Sequence, residues 1–219
     1  MNGIFGDTFD FDGDGKLDII EQAAELAFIA NIIEDKETDE DDECGGVMEL
    51  LKLLQSRRSI RKYAGERISD ETLEKILQAG LLAPSSRAIY PVELVAVRDK
   101  EMLSKLSECK AAGAAMLKDA DAAIVVVGDT AKSDAWIEDC SITMTLMMLE
   151  ATEQGVGSCW VQCRGRRTSE GTSTEERIRA LLSIPENYGV LAILSLGMPA
   201  ENPDARTLPD IKNCNRIRE

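Results

Sequence analysis

The chain has 219 residues, 44% of them hydrophobic, which is enough for one substantial core plus an extension, and its formal net charge is −15. It contains no histidine, which removes Ser-His-Asp and Cys-His nucleophilic catalysis and imidazole metal ligands, and its six cysteines (44, 109, 140, 159, 163, 214) form no Cys-x-x-Cys pair and read as reduced thiols. With no apolar run of eighteen residues, no secretory signal and no strongly basic region, the expectation is a soluble cytoplasmic protein with no membrane or nucleic-acid partner.

Taken in chain order, the acidity comes first: residues 1–43 hold 15 of the 40 acids and 2 of the 25 bases. Within this appendage (1–33), Asp10, Asp12, Asp14, Lys16 through its carbonyl, Asp18 and Glu21 fall at the oxygen-ligand positions of a twelve-residue EF-hand loop, with Gly15 at its turn. The pattern predicts a calcium site followed by a helix over Ile19 to Ile33, against the simpler alternative of an acidic, solvated helix start. Glu34 to Glu43 places eight acids in ten residues, so 34–46 reads as a self-repelling linker and 47–219 as the folded domain.

That domain opens with a helix over Val47 to Gln55, then an extended Ser56 to Tyr63 that points Arg57, Ser59 and Arg61 the same way, a trio suited to phosphate. Ser69 caps a helix over Glu71 to Leu82, and Pro84, Ser85, Ser86 and Arg87 follow where that helix has ended. Val92 to Val97 and Ala122 to Gly128 read as strands, and Ile142 to Thr152, apolar nearly all round, as a buried helix ended by Gly155 and Gly157. Ser158 to Gln162 reads as a strand, Ser173 as the cap of a helix reaching Ser183, and Val190 to Leu196 as the closing strand. The order argues for an α+β fold. Cys159, Cys163, Met144, Met147 and Met148 are expected in the core, and Arg164 to Arg167 form a lid, a contact to a cofactor phosphate or a solvated basic loop.

The ordered set Arg57-Arg58-Ser59-Ile60-Arg61-Lys62-Tyr63, the Ala83 to Pro91 segment, the Gly155 to Gln162 segment, Leu196 to Pro199 and Arg206 resembles the FMN-dependent nitroreductase family over about residues 47–212. The resemblance implies a central mixed or antiparallel sheet flanked by helices in an intertwined homodimer with FMN at the subunit interface. Arg57, Arg58, Ser59, Arg61 and Arg206 would hold the ribityl phosphate. Pro84, Ser85, Ser86 and Arg87 would reach FMN from the partner subunit, while Trp160, Val161, Gln162 and Cys163 would face the isoalloxazine, with amides near Cys163 stabilising the reduced ring. Ala88, Tyr90 and Val92 depart from the family pattern of Asn, Gln and Trp. The expected reaction is hydride transfer from NAD(P)H through FMN N5 to a nitroaromatic, quinone or similar small acceptor by a ping-pong mechanism, with no protein nucleophile. Dehydrogenation, reductive dehalogenation or a non-catalytic flavin-storage module with calcium-dependent docking are the alternatives.

Overall fold

The computed structural model of the chain describes residues 49–208, so the predicted calcium loop, its outgoing helix and the acidic linker lie outside the described residues. In order, the elements are α1 (Leu50–Ser56), α2 (Asp70–Leu81), β1 (Val92–Val97), α3 (Lys100–Ser107), β2 (Ala122–Asp129), α4 (Trp136–Glu153), β3 (Gly157–Gln162), α5 (Thr174–Leu182) and β4 (Tyr188–Gly197). Short 3-10 turns lie at Ser86–Ala88 and Ala115–Asp119.

The helix starts follow their caps. Ser69 Oγ accepts from the Thr72 N–H at 3.0 Å, with Asp70 and Glu71 placed where the helix dipole favours negative charge. Ser173 plays the same part for α5, accepting from the Glu176 N–H at 3.5 Å. Helix α3 has no counterpart among the predicted elements. It is short and mostly polar, capped by Asp99, and it buries only Leu103 and Leu106. Helix α4 starts six residues before the predicted Ile142, because Glu138, Asp139 and Ser141 interrupt the apolar pattern of its first turns. It ends where Gly155 takes φ +68°, a conformation that costs glycine little.

The four strands lie in the order β1-β2-β4-β3, and every pairing is antiparallel. The parallel contact to this sheet is a single bridge, Ser59 to Ser158. Strand alternation splits the core in two. Ile124, Val126, Leu194 and Leu196 pack against α2 and α4; Val125, Val127, Ile193 and Val161 pack against α3, α5 and the Ala115–Asp119 turn. Met144, Met147 and Met148 lie in the first cluster and Cys159 and Cys163 in the second, all buried as expected. The register of β2 on β4 shifts between Val126 and Val127, so that Ala192 and Val190 are the successive partners and Leu191 is the extra residue of a bulge. Among the described residues, no helix is long and apolar enough to cross a membrane, and no cluster of three or more acidic or thiol side chains is placed to hold a metal ion.

Candidate functional site

After α1 the chain runs extended beside β3. The Ile60 N–H donates to Ser158 O, the Ala64 N–H to Met198 O and the Ala200 N–H to Lys62 O, each at 2.9 Å. Alternation then decides which side chains are offered. Ile60 turns inward against Gly157, where an added methyl would sit 2.8 Å from Ile60 Cγ2. Ser59 bonds the Cys159 thiol through its side chain, the charges of Arg61 and Arg57 are near enough to act on that thiol against its burial, and Arg61 Nη1 donates to Ser59 O at 3.5 Å. Tyr63 closes the far end: its hydroxyl donates to Ile60 O at 3.0 Å and lies 2.6 Å from Ser195 Oγ. Burial pushes the Tyr63 phenol up, so it stays protonated.

Arg206 is delivered to the same corner from the opposite end of the domain. Its N–H donates to Gln55 O at 2.9 Å, and Gln55 Nε2 donates back to Arg206 O at 3.2 Å. Arg58 diverges from the trio: its guanidinium donates to the Asp204 carbonyl and borders a cavity of about 180 Å³ with Ile60, Gly155 and Gly157. Burial, then the charges of Arg206 and Arg58, push the Arg57 guanidinium below its ordinary value. Among the described residues, no carboxylate forms an ion pair with Arg57, Arg58, Arg61 or Arg206, and nearby Glu201 takes the Arg61 main-chain N–H at 2.6 Å. Among the described residues, these like charges are thus held together by main-chain bonds and form no ion pair with a carboxylate. An oxyanion with several acceptor atoms, such as a phosphate, fits this donor set.

Along β3, Trp160 Nε1 donates to Gln162 Oε1 at 2.9 Å, and Gln162 Nε2 donates to Arg164 O at 3.2 Å. Val161 and Cys163 turn into the other core layer, so the Cys163 side chain is not offered at this surface. The expectation that amides near Cys163 remain available is corrected. The Cys163 and Arg164 N–H groups both donate to Leu191 O at 3.0 Å, a consequence of the bulge there, and the Gly165 N–H donates to Glu175 Oε1 at 3.1 Å. Burial raises the Cys159 thiol and pushes Cys163 up to about 12, which keeps both protonated and unreactive near neutral pH.

The Pro84 to Arg87 group lies elsewhere. Ser85 Oγ donates to Asp139 Oδ2 at 2.8 Å, the Ser86 N–H donates to Asp139 Oδ1 at 2.9 Å, and Arg87 pairs with exposed Asp134. This loop leads into β1 at one edge of the sheet, whereas Ser59 is bridged to β3 at the other, with β2 and β4 between them. Three strand spacings amount to about 14 Å. A single chain therefore does not bring the two halves of the predicted site together. The Arg164 to Arg167 segment is folded on itself, with Arg164 5.9 Å above the Trp136 ring and Arg167 Nη1 donating to Gly171 O at 2.6 Å.

The description "Nitroreductase family" fits residues 54–114 and 104–198 of the chain. The chain belongs to the nitroreductase family. It is 43% identical over 176 residues, 77% of this chain and 96% of the relative, to an Archaeoglobus fulgidus protein provisionally named NADH dehydrogenase/NAD(P)H nitroreductase. It is 30% identical over 171 residues, 71% of this chain and 68% of the relative, to an NADPH-flavin oxidoreductase of Vibrio harveyi. The solved structure of an FMN-dependent nitroreductase from Clostridium difficile superposes with a TM-score of 0.74 at 40% identity, covering 78% of this chain and all of that one. The fold and the family expectation agree. Asp139 was missed because the predicted helix began after it, and the Gln55, Glu201 and Asp204 contacts because each joins segments at least 140 residues apart.

Proposed function

We propose that this nitroreductase-family oxidoreductase binds FMN through the cationic corner, takes reducing equivalents from NAD(P)H and passes them to a nitroaromatic, quinone or similar small acceptor. The observation that carries the reading is the Arg57, Arg206 and Arg58 cluster, where burial and then the neighbouring positive charges push the Arg57 guanidinium below its ordinary value, a cost an anionic phosphate would offset. FMN, when bound, supplies acceptance and donation of hydride. The chain supplies the rest. Arg57, Ser59 and Arg206 bind the phosphate, Trp160 and Gln162 form a wall fixed by their mutual hydrogen bond, and raised thiol pKa values leave no competing nucleophile among Cys109, Cys140, Cys159 and Cys163.

The active form in this reading is a homodimer in the cytoplasm. Two features support the dimer: the two halves of the predicted site lie at opposite edges of one sheet, and Leu50, Leu51, Leu54, Leu81, Leu82 and Tyr90 are exposed. Large apolar side chains left exposed are available to be buried by a second copy of the chain. The test is the visible absorption spectrum of the full chain reconstituted with FMN and titrated anaerobically with NADH and NADPH. Bleaching by a nicotinamide and recovery on adding a quinone, with parallel double-reciprocal lines in steady state, is the expected result. A chain that takes up no FMN overturns the reading, and a yellow chain that no nicotinamide bleaches leaves a flavin-storage role.

A further inference from the structure

Between Ser85 and Tyr90 the backbone adopts a shape that its own residues oppose. Arg87, Ala88 and Tyr90 have φ values of 55°, 54° and 51°, a left-handed conformation that is unfavourable for side chains with a Cβ and persists only where the surroundings impose it. The loop is not imposed from beneath by close packing, because it borders a cavity of about 270 Å³ lined by Gly80, Leu81, Ala83, Val92, Leu94 and Thr143. Its internal backbone-to-backbone bonds are two turn contacts, Ala88 N–H to Ser85 O at 3.0 Å and Ile89 N–H to Ser86 O at 3.2 Å. The Arg87 to Asp134 pair is exposed on both sides and contributes little.

What remains is Asp139. Its carboxylate is 3% exposed, and its two oxygens are divided between Ser85 Oγ and the Ser86 N–H. Ser85 Oγ passes the restraint on, accepting from the Tyr90 N–H at 2.9 Å. One buried side chain therefore governs both ends of the strained stretch. Burial of this side chain is tolerable because Asp139 lies in the first turn of the eighteen-residue α4, where two hydrogen-bond donors replace water.

We infer that Asp139 is a positioning residue: it holds the Ser85 to Tyr90 loop in its left-handed shape so that Ser85, Ser86 and Arg87 are presented, preorganised, to the FMN bound by the partner subunit. The inference rests on the flavin reading above. A loop left to relax over a cavity would have to be ordered on each binding event, and preorganisation removes that penalty.

The test uses the full chain and two independent readouts, hydrogen exchange of the loop amides without FMN and the FMN dissociation constant by fluorescence quenching. Asp139→Asn and Asp139→Ala are expected to speed exchange at the Ser86 and Tyr90 amides while the β2 and β4 amides stay protected. Asp139→Ala is expected to weaken FMN binding by tenfold or more. Adding Ala88→Gly to Asp139→Ala is expected to recover about threefold or more, because glycine removes the left-handed penalty at that position. A role confined to global stability would not yield to that second substitution. Unchanged exchange at Ser86 and Tyr90 in both variants overturns the clamp. Faster exchange with unchanged FMN affinity overturns its role in the site. Failure of the unaltered chain to bind FMN overturns the flavin reading instead, and the exchange data then still decide whether Asp139 holds the loop.

Discussion

At the Ser59 corner the chain is held by main-chain hydrogen bonds between segments far apart in sequence, whereas at the Ser85 corner it is held by the side-chain oxygens of Asp139 and Ser85. The first arrangement leaves the Arg57 and Arg206 guanidiniums without a carboxylate partner among the described residues. Ile60, Ala64, Ala200 and Arg206 lend their amides to the framework, and the guanidiniums of Arg57 and Arg206 remain for a ligand. The second spends its polar groups on holding its own shape above a cavity. Backbone pairing can gather like charges because it does not depend on them, while a loop without a ladder needs a buried acceptor.

The largest effect should come from the charged corner. Arg57→Ala is expected to weaken FMN binding by about 10- to 100-fold, the loss of about 1.5–3 kcal/mol for hydrogen bonds to a charged group. Flavin fluorescence titration measures this, and thermal melting of the ligand-free chain should show little or no loss of stability, since a repelled, partly desolvated cation has been removed. A large drop in ligand-free stability would mean that the arginine supports the fold rather than the ligand.

Next come two glycines, one at each region. Alanine at Gly197 would meet the Tyr63 ring at 2.6 Å, and alanine at Gly189 would meet the Trp136 indole at 2.4 Å. Each is expected to cost about 1–3 kcal/mol by overpacking, measured by urea unfolding. Gly197→Ala should also lower FMN affinity by displacing Tyr63, and Gly189→Ala should speed exchange in the Ser85 loop by displacing the start of α4.

A pH experiment is expected to give a smaller, graded effect. Burial, then the Asp139 carboxyl, pushes the Cys140 thiol from its ordinary value of 9.0 up to about 12. Its folded pKa is raised, so its contribution is fully present below pH 9 and is lost as the pH climbs toward 12. Between those values stability should fall by up to about 1.4 kcal/mol per pH unit for this thiol. Cys140→Ala should flatten the decline between pH 9 and 10.5 in urea titrations, and an unchanged slope would contradict it. Smallest is Ser69→Ala, which removes the α2 cap and should cost about 1 kcal/mol without altering FMN affinity, a control remote from both corners.

Legibility in the sequence followed the range of the interactions. β1 was predicted with the bounds observed, and α2, β2, β3, α5 and β4 within two residues, because caps, β-branched runs and glycine stops act over a few residues. Helix α3 escaped because two buried leucines in eight residues do not make a periodicity. In the candidate site, the side-chain alternation of Arg57, Ser59 and Arg61 was readable from spacing. The divergence of Arg58 to the Asp204 carbonyl was not, because its acceptor is 146 residues away.

The sequence by itself determined the order of the four strands and of the helices other than α3, the apolar faces and the Ser69 and Ser173 caps, all of which depend on neighbours within a helical turn or a strand. The tertiary structure alone decided that Arg206 joins Gln55, that the Leu191 bulge uses up the Cys163 and Arg164 amides, and that Asp139 governs the Ser85 loop. These depend on strand register and helix docking, which are set by how two core layers fill space across the whole sheet, and no local pattern encodes that sum.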